Sequence, residues 1–214
     1  MTTALDNAPR HVPASGRARL RMLDLFCGLG GASAAMRERG WDVVGVDSVA
    51  ELDPDVCADI LTWSYSGPAV DLVWASPPCV EFAKTDKRCW YPHAPPPSMA
   101  LVNAALRIIS EVKPRWFLIE NVRGARPWFL RAGGLLGPPG LQSPPLYLWG
   151  CPPPGLLLPS PGPGHKEYQS RRSSDPRAMR LDSDHRRRQL RAVIPYQISY
   201  SVATACERAA ARAA

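Results

Sequence analysis

Met22-Leu23-Asp24-Leu25-Phe26-Cys27-Gly28-Leu29-Gly30-Gly31 is the stretch that decides the fold class. A short, mostly apolar run ends in three glycines within four positions, and Ala32 to Arg39 follow before Gly40. Such a run bounded by turn residues reads as a buried strand, and the segment closed by Gly40 as a short helix. Asp42-Val43-Val44-Gly45-Val46-Asp47 then reads as a second strand. Strand, helix and strand in this order form a βαβ unit, which implies a parallel sheet.

The pattern repeats outward from this unit. Leu72-Val73-Trp74-Ala75-Ser76 is a short apolar strand running into Pro77-Pro78. Met99, Val102, Ala105, Leu106 and Ile109 recur at helical spacing, predicting a helix from Ser98 to Val112 that Pro114 stops. Trp116-Phe117-Leu118-Ile119 predicts another buried strand, ending at Glu120-Asn121, and the Ala-rich run Gln197 to Arg212 a final helix returning to the sheet. The expected class is α/β, a mostly parallel sheet with helices on both faces. At 214 residues the chain has room for one core.

Residues 137–164 contain ten prolines and are read as loop, either a connector or an arm over a substrate, with Tyr147-Leu148-Trp149-Gly150 packing locally. The expected organisation is a disordered lead-in over 1–19 and a core over 20–136. A Pro-rich and then basic loop region over 137–191 follows, and a closing motif and helix over 192–214 complete the core.

The net charge of +7 is concentrated late in the chain, where residues 165–214 carry eleven Lys and Arg against five Asp and Glu. That surplus fits either a polyanion partner or a solvated charge run. The six cysteines (27, 57, 79, 89, 151 and 206) include no C-x-x-C pair and no Cys/His cluster at zinc spacing, so free thiols and no metal are expected. With no secretory leader and no apolar stretch of membrane-spanning length, the expectation is a cytoplasmic protein with no membrane partner.

The three richest motifs all fall at carboxyl ends of strands, the edge where open α/β sheets bind ligands. Gly28, Gly30 and Gly31 permit close backbone approach to a ligand with helix N–H groups facing it, or make room for strand-to-helix packing. Asp47 stands where an acid accepts from ribose hydroxyls in such sheets. Asp59 is either an acceptor for an adenine amino group or a loop acid or helix cap. Together these residues suggest an adenosine-containing cofactor. Cys79 combines intrinsic nucleophilicity with a reachable thiolate, on a loop that Pro77-Pro78 makes rigid; the alternative is a buried structural cysteine. Glu120 is either an acid kept protonated by burial or a strand-end carboxylate satisfied by caps or an ion pair. Asn121 is placed to hold the loops together by hydrogen bonding.

Asp24-Leu25-Phe26-Cys27-Gly28-Leu29-Gly30-Gly31, Ser76-Pro77-Pro78-Cys79 and Glu120-Asn121-Val122 resemble, in order, the first, nucleophile and base-activating motifs of the cytosine-C5 DNA methyltransferase family. Ile194-Pro195-Tyr196-Gln197-Ile198 resembles its last motif. The resemblance implies a Rossmann-like S-adenosylmethionine-dependent methyltransferase fold and double-stranded DNA as partner. It implies methyl transfer to C5 of cytosine through a Cys79 adduct at C6, with Glu120 acting at N3. By it, Phe26, Gly28, Gly30, Asp47 and Asp59 line the S-adenosylmethionine site. Amino-methyltransferases prefer an aromatic residue after the two prolines, so cysteine favours methylation of carbon.

Two departures stand out. Gln169-Ser170-Arg171-Arg172-Ser173 matches the family's Gln-x-Arg-x-Arg only in part, leaving Arg171 as either a base-orienting residue or a solvated arginine. Only about two dozen residues separate that motif from the last one, too few for the family's target-recognition domain. The second wall of a DNA cleft is then expected from the Pro-rich and basic segments, a partner protein or a second copy. A compact enzyme of phage or mobile-element type, serving restriction-modification or regulation, fits this outline. The alternatives are a related pyrimidine-C5 enzyme with another one-carbon donor or substrate, and a non-catalytic DNA-binding accessory protein.

Overall fold

The structure, a computed structural model, describes residues 19–86, 93, 95–131, 141–143, 146–159 and 175–213. Strand β1 (Arg21–Leu25) leads through the glycine turn to α1 (Ala34–Glu38), β2 (Asp42–Asp47) and β3 (Val56–Cys57). Next come β4 (Leu72–Ala75), α2 (Val80–Asp86), α3 (Ala100–Val112), β5 (Trp116–Asn121) and α4 (Arg126–Arg131). The chain continues through β6 (Leu141–Ser143), β7 (Leu146–Cys151), α5 (Pro176–Met179), α6 (Ser183–Ala192) and α7 (Tyr196–Arg212). The strands form one sheet in the order β3-β2-β1-β4-β5-β7-β6, parallel from β3 to β5, with β7 antiparallel to β5 and to β6. This is the mostly parallel, Rossmann-like arrangement expected.

Alternation along the strands divides the core between the two faces of the sheet. Leu23, Leu25, Val73, Ala75 and Ile119 pack with Val102, Ala105, Ile108 and Ile109 of α3. Met22, Leu72, Trp74 and Leu118 face the other way, toward Ala35 and Met36 of α1 and Ile198, Val202 and Cys206 of α7. Helix α3 stops where Lys113 takes a left-handed conformation (φ 51°) one residue before Pro114, as Pro114 led us to expect.

The Pro-rich segment differs from its reading as loop. β6 and β7 form within it, and β7 pairs with β5 in the register Ile119↔Trp149. All ten prolines fall outside 146–151, so β7 keeps every backbone donor it needs, and Trp149 is fully buried. The basic stretch is likewise helical. Asp175 caps α5 by accepting from the Arg177 amide, with Pro176 in the first turn, and Asp182 caps α6 by accepting from the Asp184 and His185 amides. The lead-in expected over 1–19 lies outside the described residues except for Arg19. Among the described residues no helix is long and apolar enough to cross a membrane, and no group of three His, Cys, Asp or Glu residues could hold a metal ion.

Candidate active site

Strand register brings three of the sequence-predicted residues, Asp47, Phe26 and Glu120, into one row. Val46, Leu25, Ala75 and Ile119 are mutual partners across β2, β1, β4 and β5. One residue further on stand Asp47, Phe26, Ser76 and Glu120, side by side along the carboxyl edge. The strand order reverses between β1 and β4, so the turns after these strands diverge and open a crevice at the switch point.

The turn after β1 is held by its own backbone and by Asp47. Phe26 takes a left-handed conformation (φ 60°), as do Gly28 (φ 51°) and Gly30 (φ 73°), and the Gly30 amide donates to the Cys27 carbonyl at 2.7 Å. A non-glycine residue held there is strained, and such strain concentrates at ligand sites. The Asp47 carboxylate accepts from the Gly28 amide at 2.9 Å and the Val49 amide at 3.0 Å, tying the two strand-end turns together while retaining lone pairs for another donor. Of the two roles open to it, Gly31 takes the packing one: a Cβ there would lie 2.7 Å from the Ile194 backbone, so it makes room for the returning chain. The α1 amide of Ala35 donates to buried Ser199 Oγ at 3.0 Å, so the chain itself uses a group expected to face a ligand.

Asp59 lies two residues beyond β3 and matches its reading as a cap. Oδ1 accepts from the Leu61 amide at 2.9 Å, which is a cap. Oδ2 has no hydrogen-bond partner among the described residues, and the residue is exposed.

The nucleophile loop is fixed from three sides. The Ser76 amide donates to the Leu25 carbonyl at 3.1 Å, buried Asn121 Nδ2 donates to the Pro77 carbonyl at 3.0 Å, and the Cys79 carbonyl accepts from the Ala83 amide at 2.8 Å. Asn121 thus holds the two loops together as expected. Helix α2 is anchored by Phe82, whose ring packs edge-on against Phe129, which in turn packs against Trp149. Cys79 is half-buried, and burial first and the neighbouring Glu120 second push its thiol up. Glu120 is half-buried, and desolvation of its carboxyl pushes it up to about 7, opposed by a hydrogen bond from Ser76. Trp74 Nε1, which can only donate, bonds Ser76 Oγ at 2.8 Å, so the Ser76 proton is directed to Glu120. Sequence reasoning passed over Ser76, although its place in the Ser-Pro-Pro-Cys string was a signal. It also missed Gln189 of α6, whose Oε1 lies 2.8 Å from where a Gly28 Cβ would sit, and Arg177, which donates to the Leu29 carbonyl at 3.0 Å. Arg171 falls outside the described residues.

The family model for C-5 cytosine-specific DNA methylases matches residues 20–127, just over half of the chain. The chain belongs to this family. A probable DNA (cytosine-5)-methyltransferase of Frog virus 3 is 32% identical over 117 residues, covering 48% of this chain and 53% of the viral protein. The chain thus spans about half the length of this relative. Among solved structures, a putative DNA modification methyltransferase encoded within an E. coli prophage is similar at 24% identity and a TM-score of 0.38, covering 50% of this chain and 33% of that one. The Dnmt2 methyltransferase of S. pombe is similar at 20% identity and a TM-score of 0.33, covering 62% and 48%. Within this C-5 cytosine methylase, the turn after β1, the Cys79 loop and Glu120 all lie inside the matched span, whereas Arg171 and Ile194–Ile198 lie beyond it.

Proposed function

We propose that this protein is a DNA (cytosine-5-)-methyltransferase in which Cys79 adds to C6 of a flipped cytosine while Glu120 protonates N3. The observation that carries this reading is the pairing of a half-buried thiol with a carboxyl that desolvation pushes up to about 7, on a loop and a neighbouring strand end that Asn121 ties together. C5 of cytosine is a poor nucleophile until the ring is dearomatised. The Cys79 thiol releases its proton to solvent and Sγ forms the C6–S bond. The displaced pair is accommodated as Glu120 gives its proton to N3, leaving an enamine with electron density at C5. After methylation, a base takes the C5 proton, the C5–C6 double bond re-forms, the C6–S bond breaks, and Glu120 recovers its proton from N3.

S-adenosylmethionine fits the carboxyl edge through the left-handed Phe26–Gly30 turn, the spare lone pairs of Asp47 and the unpaired Oδ2 of Asp59. Bound there, it would supply the methyl group. Double-stranded DNA is the proposed partner, supported by the arginines of α6, which sits beside the Gly28 turn. Helices α5 and α6 fill most of the interval in which the family places target recognition, so we assign sequence readout to α6, a partner protein or a second copy. We divide the chain into a core over 20–136, to which β6 and β7 of the 137–191 segment add two strands, and the closing 192–214. Arg171 is proposed to help orient the base.

The test is trapping. With DNA bearing 5-fluorocytosine and S-adenosylmethionine, the wild type is expected to form a denaturation-resistant adduct and Cys79→Ser none. Absence of adduct with the wild type would sink the nucleophile assignment. Adduct that forms equally well without S-adenosylmethionine, with no label transferred from it to ordinary DNA, would point to another one-carbon donor.

A further inference from the structure

We propose that Arg107 is a positioning residue for the Asp59 turn and sets the enzyme's preference for adenine in its cofactor without touching the cofactor. The inference rests on the cofactor reading above.

Arg107 stands in the middle of α3, and its guanidinium reaches across to the turn after β3. NH2 donates to the Ile60 carbonyl at 3.2 Å and to the Trp63 carbonyl at 2.7 Å, and NH1 donates to Ser64 Oγ at 3.0 Å. Glu111, one turn along α3, accepts from NH1 at 2.9 Å and holds the fork in place. The other hydrogen bonds of this turn are local. Asp59 Oδ1 takes the Leu61 amide, the Asp59 carbonyl takes the Thr62 and Trp63 amides, and Tyr65 Oη donates to the Pro68 carbonyl. Among the described residues, only Arg107 ties 59–66 by hydrogen bonds to another element.

Buried Ile60 anchors the turn through apolar packing. Trp63 and Tyr65 pack against the same core, but such packing is non-directional and does not by itself fix the turn's roll about its axis. Carbonyls three residues apart bound by one planar guanidinium remove that freedom. What the roll controls is the direction of Asp59 Oδ2, the carboxylate oxygen with no protein partner. An amino group on a ligand's base needs that oxygen aimed at it, because hydrogen bonds weaken steeply off axis. A lysine in place of Arg107 offers a point charge that cannot span both carbonyls.

The experiment is calorimetric titration of the full chain with S-adenosylhomocysteine and with its 6-oxo analogue, S-inosylhomocysteine, for wild type, Arg107→Ala, Arg107→Lys and Glu111→Gln. The wild type is expected to favour the adenine form by about tenfold or more, the value of one charge-assisted hydrogen bond. Arg107→Ala brings the two affinities to within about threefold of each other, and Arg107→Lys and Glu111→Gln give intermediate ratios. An Arg107→Ala protein that binds both ligands more weakly but keeps the wild-type ratio overturns the proposal, because that is the signature of a merely structural role. If Arg107→Ala does not fold, an unchanged ratio in both Arg107→Lys and Glu111→Gln overturns it. Wild-type protein that binds both ligands equally overturns it while leaving the cofactor reading intact, and wild-type protein that binds neither removes the cofactor reading itself.

Discussion

Asp24 and Glu120 are carboxyls that burial pushes to the same place by different routes. Asp24 lies within β1 under α1, almost fully buried, and among the described residues its Oδ2 has no hydrogen-bond partner; burial pushes it up to about 7 against the opposing effects of Ser33 and Arg37. Glu120 reaches about 7 at the crevice. In both, the folded chain holds a proton that the unfolded chain releases near pH 4, so stability falls as pH rises from about 4 to about 7 and levels off above. Urea unfolding from pH 4 to 8 should show this decline, and Asp24→Asn and Glu120→Gln should each flatten part of it. Only Glu120→Gln should also remove the alkaline limb near pH 7 from the rate of 5-fluorocytosine adduct formation. A wild-type stability that rises across that range would refute both assignments. Of these residues the sequence singled out Glu120 through its strand-end position. Asp24 stood in plain view in a quoted motif, but which face of a strand is covered depends on helices that arrive much later in the chain.

At the scale of elements, β7 carries the largest departure from the sequence reading. Prolines at 144–145 and 152–154 bracket six residues that contain none, and averaging over the whole segment hid them. Even a correct strand assignment leaves the partner open, because periodicity reports exposure and says nothing about neighbours. The pairing with β5 relies on Gly150 (φ 123°), where a Cβ would meet the Phe117 carbonyl oxygen at 2.4 Å. β7 then delivers Trp149 against Phe129, with ring centroids 4.7 Å apart, and so supports α2 behind Cys79. Trp149→Ala should therefore lower unfolding free energy by about 3–5 kcal/mol and slow adduct formation even where the variant remains folded. A loss below about 1 kcal/mol would mean that β7 is not part of the core. By contrast, β1, β2, β4, β5, α3 and α7 were legible to within two residues, since each is an uninterrupted apolar or amphipathic run with a clear stop.

For the whole molecule, charge is the property with reach. Helix α6 meets the glycine turn through Gln189, and its Arg187 and Arg188 are exposed. If they meet phosphates, DNA affinity falls steeply with salt, and the double substitution Arg187→Gln/Arg188→Gln should reduce the log–log slope by up to about 2. An unchanged slope would make them a solvated face. The sequence disclosed the surplus charge but could not show that part of it is carried on a capped helix that packs through Gln189 beside the glycine turn.

The close fit of Gly31 against the Ile194 backbone joins points 163 residues apart in the chain. A ribosome adds residues in order, at about 5–20 per second. For roughly eight to thirty seconds the first turn of the sheet therefore exists without the segment that buttresses it. A nascent chain has its nucleophile, its acid and its glycines well before it has the packing that holds them. Competence is withheld until the Ile194 segment has been made, and an abortive product ending before Ile194 would carry every chemical group of the site in an arrangement too loose to use them.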